Sequence, residues 1–493
     1  MASAPLLEPG VTCWRIARAR RATVLVDGQD YFAAVLAALR SARRSVLLLG
    51  WAFDPRTRLL PDGFERGDEP DEIGQVLLAL ASSWPGIDIR ILIWKSQLPI
   101  EATQDFFPHR ARAWFADSPV KFRLDDETPL AGCHHQKVIV IDDSIAFCGG
   151  ADFGVDRWDT PAHPDEDARR IDPSLSNHPP RHEVAMLVDG EAARALGDLA
   201  RERWRRATGE VVAPTLVDGA DDGWPAEVKP GLAEADVGIV RTEPAWRGRP
   251  LVDEWKRLTL AAIAAAQESI YLENQYFTSP VIAEALARRL TEPNGPEIVL
   301  VSTQSSPSWF DQLTMDRARG VALARLRRAD VFGRFRAFCP VTAHGRPIIV
   351  HAKLCISDGR VLRVGSANLN NRSLGLDTEC ELAVEAANAK AATAIRRLRD
   401  RLIGHYLNRT PSDVERAVKR EGGLIAAIQS LNRGARLKPI EPPRSTALGR
   451  LIAGYHLGDP LGVEDAWRPW LRRARLAAEV RAIAEGEAAR ARA

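Results

Sequence analysis

Two segments of the sequence carry the same arrangement of histidine, lysine, aspartate and glycine. Both fit the pattern H-x-K-x4-D-x6-G-[GS], within Cys133–Gly150 and Val350–Ser366. The members are His135, Lys137, Asp142, Gly149 and Gly150 in the first copy and His351, Lys353, Asp358, Gly365 and Ser366 in the second. An imidazole can act as nucleophile or acid near neutral pH, and an ammonium group stabilises phosphoryl oxygens. The chain has only 10 histidines, so the duplication predicts phosphoryl-transfer chemistry rather than coincidence.

Each segment also has the pattern of a β-hairpin. Two β-rich runs flank a turn at Asp142 in one copy and at Asp358 in the other. Residues i and i+2 of a strand share a face, so the histidine and lysine of each copy should point the same way. The first glycine should return beside the histidine, where a missing Cβ leaves room for substrate. Aspartate is favoured at turns for backbone reasons alone, which leaves a structural role open for both aspartates.

The elements around the two segments repeat as well. Ser45–Phe53 and Ser269–Phe277 are similar apolar runs, and each follows a helical pattern rich in Ala and Leu. A second strand-like run follows each of them, at Ile87–Trp94 and Glu297–Ser302. Alternation of helices with apolar strands predicts an α/β fold, here in two copies.

A stretch rich in Gly, Pro and acidic residues, 209–236, separates the two copies. We predict a first lobe at 1–215, a linker at 216–240, a second lobe at 241–410 and a helical C-terminal extension at 411–493.

The composition argues against several other classes of protein. The chain has 493 residues with 67 basic and 65 acidic side chains, so it lacks the basic signature of a nucleic-acid-binding protein. Six cysteines form no CxxC pair, and no zinc or redox motif is predicted. No secretory signal and no apolar run of membrane-spanning length is recognised. We expect a cytoplasmic or peripheral membrane protein, with secretion that needs no cleavable signal as an open alternative.

The duplicated pattern and its flanks resemble the phospholipase D superfamily. The runs GGADFGVDRWD (149–159) and GSANLNNRSLGLDTECELAV (365–384) are similar to the eukaryotic-type, phosphatidylcholine-cleaving enzymes, as are ENQYF (273–277) and PRHEV (180–184). The resemblance covers roughly 24–407. It leaves no room ahead of the repeat for the phox-homology and pleckstrin-homology modules of those enzymes, so a different mode of membrane recruitment is expected.

The resemblance implies two phospholipase D-type α/β lobes, each a mixed sheet flanked by helices, related by a pseudo-two-fold axis and sharing one active site. It also implies a two-step exchange through a phosphohistidine. His135 is assigned as nucleophile and His351 as general acid and then base, although the residues alone leave the reverse open. The expected catalytic set is His135, Lys137, Asp142, His351, Lys353 and Asp358.

Further residues are expected to support the phosphate or orient the histidines. Phosphate support is assigned to Gly150, Asp152, Ser366 and Asn368, and orientation of the histidines to Glu183 and Glu379. Asp152 stands where the second half has Asn368, so the two halves are not equivalent. The lysines supply the charge that Mg²⁺ supplies in other phosphoryl-transfer sites, so we expect neither a metal nor a cofactor.

The predicted reaction is hydrolysis of the distal phosphodiester of glycerophospholipids such as phosphatidylcholine, giving phosphatidic acid and the headgroup alcohol, with transphosphatidylation when an alcohol replaces water. A cardiolipin synthase-like phosphatidyltransferase and a superfamily nuclease or phosphodiesterase are the alternatives. The expected partner is a phospholipid at a membrane or micelle surface, with no nucleic acid and a monomeric chain. Trp309 and Phe310 fall in a predicted loop that could contact lipid.

Overall fold

The computed structural model describes residues 4–61, 70–96, 108–215, 223–441 and 446–490. Its strands are, in chain order, β1 Arg15–Val26, β2 Ser45–Gly50, β3 Asp88–Trp94, β4 Lys121–Asp125, β5 Val138–Ile141, β6 Ile145–Gly149, β7 Arg181–His182, β8 Val184–Asp189, β9 Leu232–Thr242, β10 Ser269–Asn274, β11 Glu297–Val301, β12 Phe335–Pro340, β13 Ile349–Val350, β14 Lys353–Ser357, β15 Val361–Gly365, β16 Glu379–Glu385 and β17 Leu437–Pro439. Its helices are α1 Asp27–Ser41, α2 Ile73–Ser83, α3 Pro108–Trp114, α4 Gly190–Thr208, α5 Glu254–Ala265, α6 Pro280–Thr291, α7 Trp309–Ala329, α8 Arg372–Gly375, α9 Ala389–Leu407, α10 Pro411–Glu421, α11 Leu424–Leu431, α12 Ala447–Gly454 and α13 Pro469–Arg490.

One mixed sheet of 15 strands runs through both halves of the chain. The first half contributes the order β1-β8-β6-β5-β2-β3-β4, and the second half contributes β9-β16-β15-β14-β10-β11-β12 with β17 at the outer edge. The two orders correspond strand for strand about the antiparallel pair β1 and β9, as a pseudo-two-fold axis requires. The predicted fold class, two homologous α/β lobes of mixed sheet and helices, is therefore confirmed.

The junction between the halves is a sheet contact rather than a loose connection. β9 begins at Leu232 and pairs with β1 on one side and β16 on the other. Residues 232–240 of the predicted linker (216–240) are therefore part of a central strand, which corrects that boundary. Residues 216–222 lie outside the described part of the chain. The stretch from 411 onward contains four helices among its described residues, and β17 ties it to β12.

Burial on both faces explains why the inner strands have continuous apolar runs. β2 (SVLLLG) is buried along its whole length and pairs in parallel with β3. Strands covered on both faces lose the alternation typical of half-exposed strands. Helices such as α1 and α4 pack their buried residues on this sheet. Among the described residues, no helix has both the length and the apolar character that a membrane crossing requires.

The two predicted hairpins form, and the aspartate at each turn binds the backbone at the start of a neighbouring strand. β5 pairs antiparallel with β6, and β14 with β15. The Asp142 carboxylate accepts hydrogen bonds of 2.7–2.8 Å from the backbone N–H groups of residues 43–45, at the start of β2. The Asp358 carboxylate accepts three hydrogen bonds of 2.7–2.9 Å from the backbone N–H groups of residues 267–269, at the start of β10. Both carboxylates bind backbone at the turn end of the hairpin, about 20 Å along an extended strand from the motif histidine. This corrects their assignment to the catalytic set.

Candidate active site

The two motif histidines precede their hairpins, and each is anchored on the backbone of the opposite half. The His135 N–H donates to the Thr378 carbonyl at 3.0 Å, and the His351 N–H donates to the His182 carbonyl at 2.8 Å. The short strands β7 and β13 pair in parallel beside this second contact. The chain therefore assembles one site at the junction, with each histidine held by the other half.

The orienting carboxylates cross between the halves in the same way. His135 Nδ1 lies 2.9 Å from Glu379 Oε2, and His351 Nδ1 lies 3.0 Å from Glu183 Oε2. An ionised carboxylate only accepts, so Nδ1 carries the proton and Nε2 keeps its lone pair. The structure brings together the two histidines and both predicted orienters. The sequence did not specify that each carboxylate serves the histidine of the opposite half.

The two buried lysines make the same kind of backbone hydrogen bond. Their side-chain partners differ. Lys137 Nζ donates to the His135 carbonyl at 2.9 Å, and Lys353 Nζ donates to the His351 carbonyl at 2.7 Å. Lys137 also lies 3.2 Å from Asp152 Oδ2, whereas Lys353 lies 3.3 Å from Gln275 Oε1. The first ammonium group is therefore paired with a carboxylate and the second with a neutral amide.

The two orienting carboxylates differ because of the residue that follows the first motif glycine. Ser366 donates its hydroxyl to Glu379, and Ser373 donates to the same carboxylate at 2.7 Å. Burial alone would raise the pKa of Glu379, but His135 and these hydroxyls outweigh it and lower that pKa. In the first half Gly150 stands at the position of Ser366 and Arg157 at that of Ser373. Burial raises the pKa of Glu183.

The cationic groups around His351 set its protonation in the unliganded protein. Burial, with Lys353, Arg157, Arg181 and Lys137 nearby, lowers the pKa of His351 well below its usual range. Burial also lowers the pKa of Lys353 from 10.5 to about 7. Desolvation and neighbouring positive charges both disfavour the protonated forms of His351 and Lys353. This cluster of basic side chains therefore favours binding of an anion in its centre.

The remaining predicted support residues have separate roles. A Cβ on Gly150 would lie 3.0 Å from the His351 carbonyl and 3.1 Å from Lys353 Cδ, so a side chain there would crowd the opposite half by a few tenths of an ångström. Asp152 Oδ1 accepts from the Trp51 N–H at 2.8 Å while its other oxygen faces Lys137. Asn368 is buried, and its Oδ1 has no hydrogen-bond partner. Asn368 thus leaves an amide oxygen without a donor in the site, whereas Asp152 supports a lysine.

Several residues that shape this site belong to no pattern that predicted them from the sequence. They are Arg157, Arg181, Gln275 and Ser373, together with a buried group of Asp27, His163, His182 and His405 that could hold a metal ion. Arg181 and His182 lie in the quoted PRHEV element, next to Glu183. The PRHEV element is therefore the one sequence feature that points to these residues. Asp27, His163 and His405 lie far from it in the sequence, so the buried group could not be predicted.

Comparison with known proteins agrees with this geometry. A family model described as "Phospholipase D" matches residues 38–229, and one described as "Cardiolipin synthase, PLD-like domain" matches residues 259–403. The chain is 25% identical over 423 residues to Phospholipase D A of Dictyostelium discoideum, covering 73% of this chain and 32% of that protein. It is 21% identical over 458 residues to Phospholipase D2 of Bos taurus, covering 73% and 48%.

Two further similarities concern other named activities and the fold. A cardiolipin synthase of Halalkalibacterium halodurans is 25% identical over 381 residues, covering 72% of this chain and 61% of that protein. The crystal structure of a phosphatidylserine synthase from Haemophilus influenzae superposes with a TM-score of 0.56 at 14% identity, covering 85% of this chain and 96% of the other. That likeness concerns the fold alone. The chain spans about a third to a half of the length of the two phospholipases D named above.

Substitution of the two lysines should change the free energy of unfolding in opposite directions. The pKa of Lys353 falls from 10.5 to about 7 on folding, so the unfolded state binds more protons between those pH values. The residue therefore destabilises the fold most below about pH 7, and the penalty fades as the pH rises towards 10. Lys353→Met is expected to raise the free energy of unfolding by roughly 1–3 kcal/mol near pH 6 and by less near pH 9.

Lys137→Met is the matched control in urea unfolding at both pH values. It leaves the buried Asp152 carboxylate without its cation, so the free energy of unfolding should fall by roughly 3–5 kcal/mol. Equal destabilisation by the two substitutions would contradict the electrostatic difference between the lysines.

Proposed function

The chain belongs to the phospholipase D superfamily, and from that premise we propose that it hydrolyses the distal phosphodiester of glycerophospholipids such as phosphatidylcholine. The products are phosphatidic acid and the free headgroup alcohol. The observation that carries this proposal is the pair of Nδ1-oriented histidines, His135 and His351, beside two buried lysines at one junction. Such a site offers a nucleophile, an acid and fixed positive charge to a single phosphoryl group.

In the first step His135 Nε2 attacks phosphorus, and the bond from phosphorus to the headgroup oxygen breaks. The imidazole becomes cationic as the N–P bond forms. Glu379, held as an anion by His135, Ser366 and Ser373, lies against its Nδ1 and balances that charge. A carboxylate with lowered pKa suits the histidine that must carry positive charge, which favours His135 over His351 as nucleophile.

His351 gives its proton to the leaving headgroup oxygen. Without substrate, burial and the nearby cations favour its neutral form. A phosphodiester anion offsets those cations, so the histidine gains its proton as the substrate binds. An imidazolium whose pKa is held low by its surroundings is a stronger acid than free imidazolium. In the second step neutral His351 accepts a proton from water, and the water oxygen displaces His135 from phosphorus.

In this scheme an alcohol can replace water as the acceptor in the second step. An acceptor alcohol in place of water gives phosphatidyl transfer with the same atoms and the same proton movements. The family match described as cardiolipin synthase and the relative of that name support this second candidate. Lys137, Lys353 and the amide of Asn368 serve the non-bridging oxygens in either reaction.

An exposed apolar surface beside the site supports the proposal of a membrane or micelle substrate. Tyr276, next to Gln275 of the lysine pocket, donates its hydroxyl to Asp311 at 3.0 Å at the start of α7. Trp309 and Phe310 begin that helix, rather than lying in the predicted loop, and are 74% and 49% exposed. Leu448 and Leu451 are exposed on α12, which packs on α7. Exposed aromatic residues of this kind partition into bilayer interfaces.

Mass analysis of the intact protein tests the chemistry. The enzyme is mixed with phosphatidylcholine micelles and quenched rapidly without acid, in wild-type, His135→Asn and His351→Asn forms. A phosphatidyl adduct should appear on wild type and be absent from His135→Asn, because only His135 forms the N–P bond. In His351→Asn the adduct should form slowly, because the leaving group lacks its acid, and should then persist, because water lacks its base.

Parallel reactions separate the candidate functions. Phosphatidylglycerol as the only lipid tests transfer to an alcohol acceptor, and a short oligonucleotide tests nuclease activity. An adduct formed with the oligonucleotide alone would contradict a phospholipase. An adduct that survives in His135→Asn would reverse the roles of the two histidines.

Replacing the two aromatic residues of this exposed surface tests its contact with lipid. The double substitution Trp309→Ser with Phe310→Ser should lower the rate on phosphatidylcholine vesicles roughly 10- to 100-fold through lost interfacial binding. The rate on a short-chain, monomeric phosphatidylcholine should not change. Trp84→Ser, at an exposed tryptophan following α2, is the control. Equal loss on both substrates would contradict an interfacial role.

A further inference from the structure

A buried group of side chains behind the catalytic junction has the composition and geometry of a metal site. Asp27 begins α1, His163 lies in the loop after the first motif, and His405 lies in α9 of the second half. All three are almost fully buried, with side-chain exposures of 0%, 3% and 7%. Three distant parts of the sequence therefore meet at one enclosed point.

Three atoms converge there. His163 Nε2 and His405 Nε2 are 2.9 Å apart, and Asp27 Oδ2 lies 3.4 Å from His405 Nε2 and 3.6 Å from His163 Nε2. Ligand bonds of about 2.0–2.1 Å at tetrahedral angles place ligand atoms roughly 3.3 Å apart. The three observed separations lie on either side of that value and close to it. Two imidazole nitrogens with one carboxylate oxygen are a donor set for zinc-like ions, not for Mg²⁺ or Ca²⁺.

Hydrogen bonding on the outer side of the group directs the free lone pairs inward. His163 Nδ1 lies 2.8 Å from Asp159 Oδ2, so it carries the proton and leaves Nε2 as a donor atom. His182 uses both ring nitrogens on carboxylates, at 2.7 Å to Asp27 Oδ1 and 2.8 Å to Glu273 Oε2. It cannot ligate and instead orients Asp27. This is the arrangement that supports ligands in known metal centres.

An unsatisfied atom in the centre is the second observation. Asp27 Oδ2 is buried and has no hydrogen-bond partner. A proton shared between the two histidines would satisfy their nitrogens but leave this oxygen bare, which is costly in a buried site. A cation satisfies all three inward atoms at once.

We propose that Asp27, His163 and His405 bind a divalent zinc-type ion that joins the two halves behind His351. A fourth coordination position is left for water. The ion is a positioning element and takes no part in phosphoryl transfer, and the inference does not rest on the proposed reaction.

The site is linked to the catalytic junction by short contacts. Asp27 donates its backbone N–H to the Glu183 carbonyl at 2.8 Å and accepts the Glu183 N–H on Oδ1 at 3.3 Å. Glu183 orients His351, and the carbonyl of His182 holds the His351 backbone. An ion that immobilises Asp27 therefore also immobilises the carboxylate and the backbone that position His351.

Metal binding by the full-length, tag-free protein tests the site. The chain is treated with a chelator, and Zn²⁺ is then titrated against a chromophoric competitor. One ion per chain is expected, with affinity reduced by more than about 100-fold in His163→Asn and in His405→Asn. His344→Asn, at an exposed histidine, should bind like wild type. Affinity that is unchanged in both ligand variants, or no saturable ion in wild type, would overturn the proposal.

A second measurement decides the case if a ligand variant fails to fold. Co²⁺ added to the metal-free wild-type protein should give the intense visible absorption of a tetrahedral site with nitrogen and oxygen ligands. Zn²⁺ should abolish that absorption in competition. Absence of the bands, or the weak bands of an octahedral ion, would show that the three residues share protons instead of a metal.

Discussion

The exchange of histidine–carboxylate pairs between the two halves is the constraint on which the rest of the structure depends. His135 is oriented by Glu379 and His351 by Glu183, so neither half contains a complete histidine–carboxylate pair. The pairs can form only if the halves are held in register to a fraction of an ångström. The central pair β1 and β9 provides that register by extending one sheet across the junction.

The duplicated halves have diverged where the chemistry needs a difference. Ser366 and its equivalent Gly150 decide whether the neighbouring carboxylate receives a hydroxyl donor, and Asp152 and Gln275 decide how each lysine is neutralised. One histidine therefore faces a carboxylate with lowered pKa, and the other has a lowered pKa itself. The proposed nucleophile and the proposed acid therefore have different environments, as their different roles require.

Local patterns in the sequence predict the strands, turns and reactive residues of this site. They do not predict the tertiary contacts that bring those residues together. The identical spacing of His135 and His351 predicts the chemistry, and the apolar runs predict strands of an α/β fold. Turn chemistry indicates a structural aspartate at Asp142, yet its clamp on the backbone near β2 depends on a pairing far away in sequence. The crossed pairs, the continuous sheet and the cluster of Asp27 with His405 arise from tertiary contacts, and no spacing encodes them.

Imidazole ¹⁵N chemical shifts measured with Glu379→Gln and Glu183→Gln test the crossed pairing most directly. The protein is labelled at histidine nitrogens, and the two catalytic signals are assigned with His135→Asn and His351→Asn. Glu379→Gln should shift the Nδ1 signal of His135 alone and Glu183→Gln that of His351 alone, because each carboxylate is hydrogen-bonded to the ring of the opposite half. A shift confined to the histidine of the same half would contradict the crossed pairing.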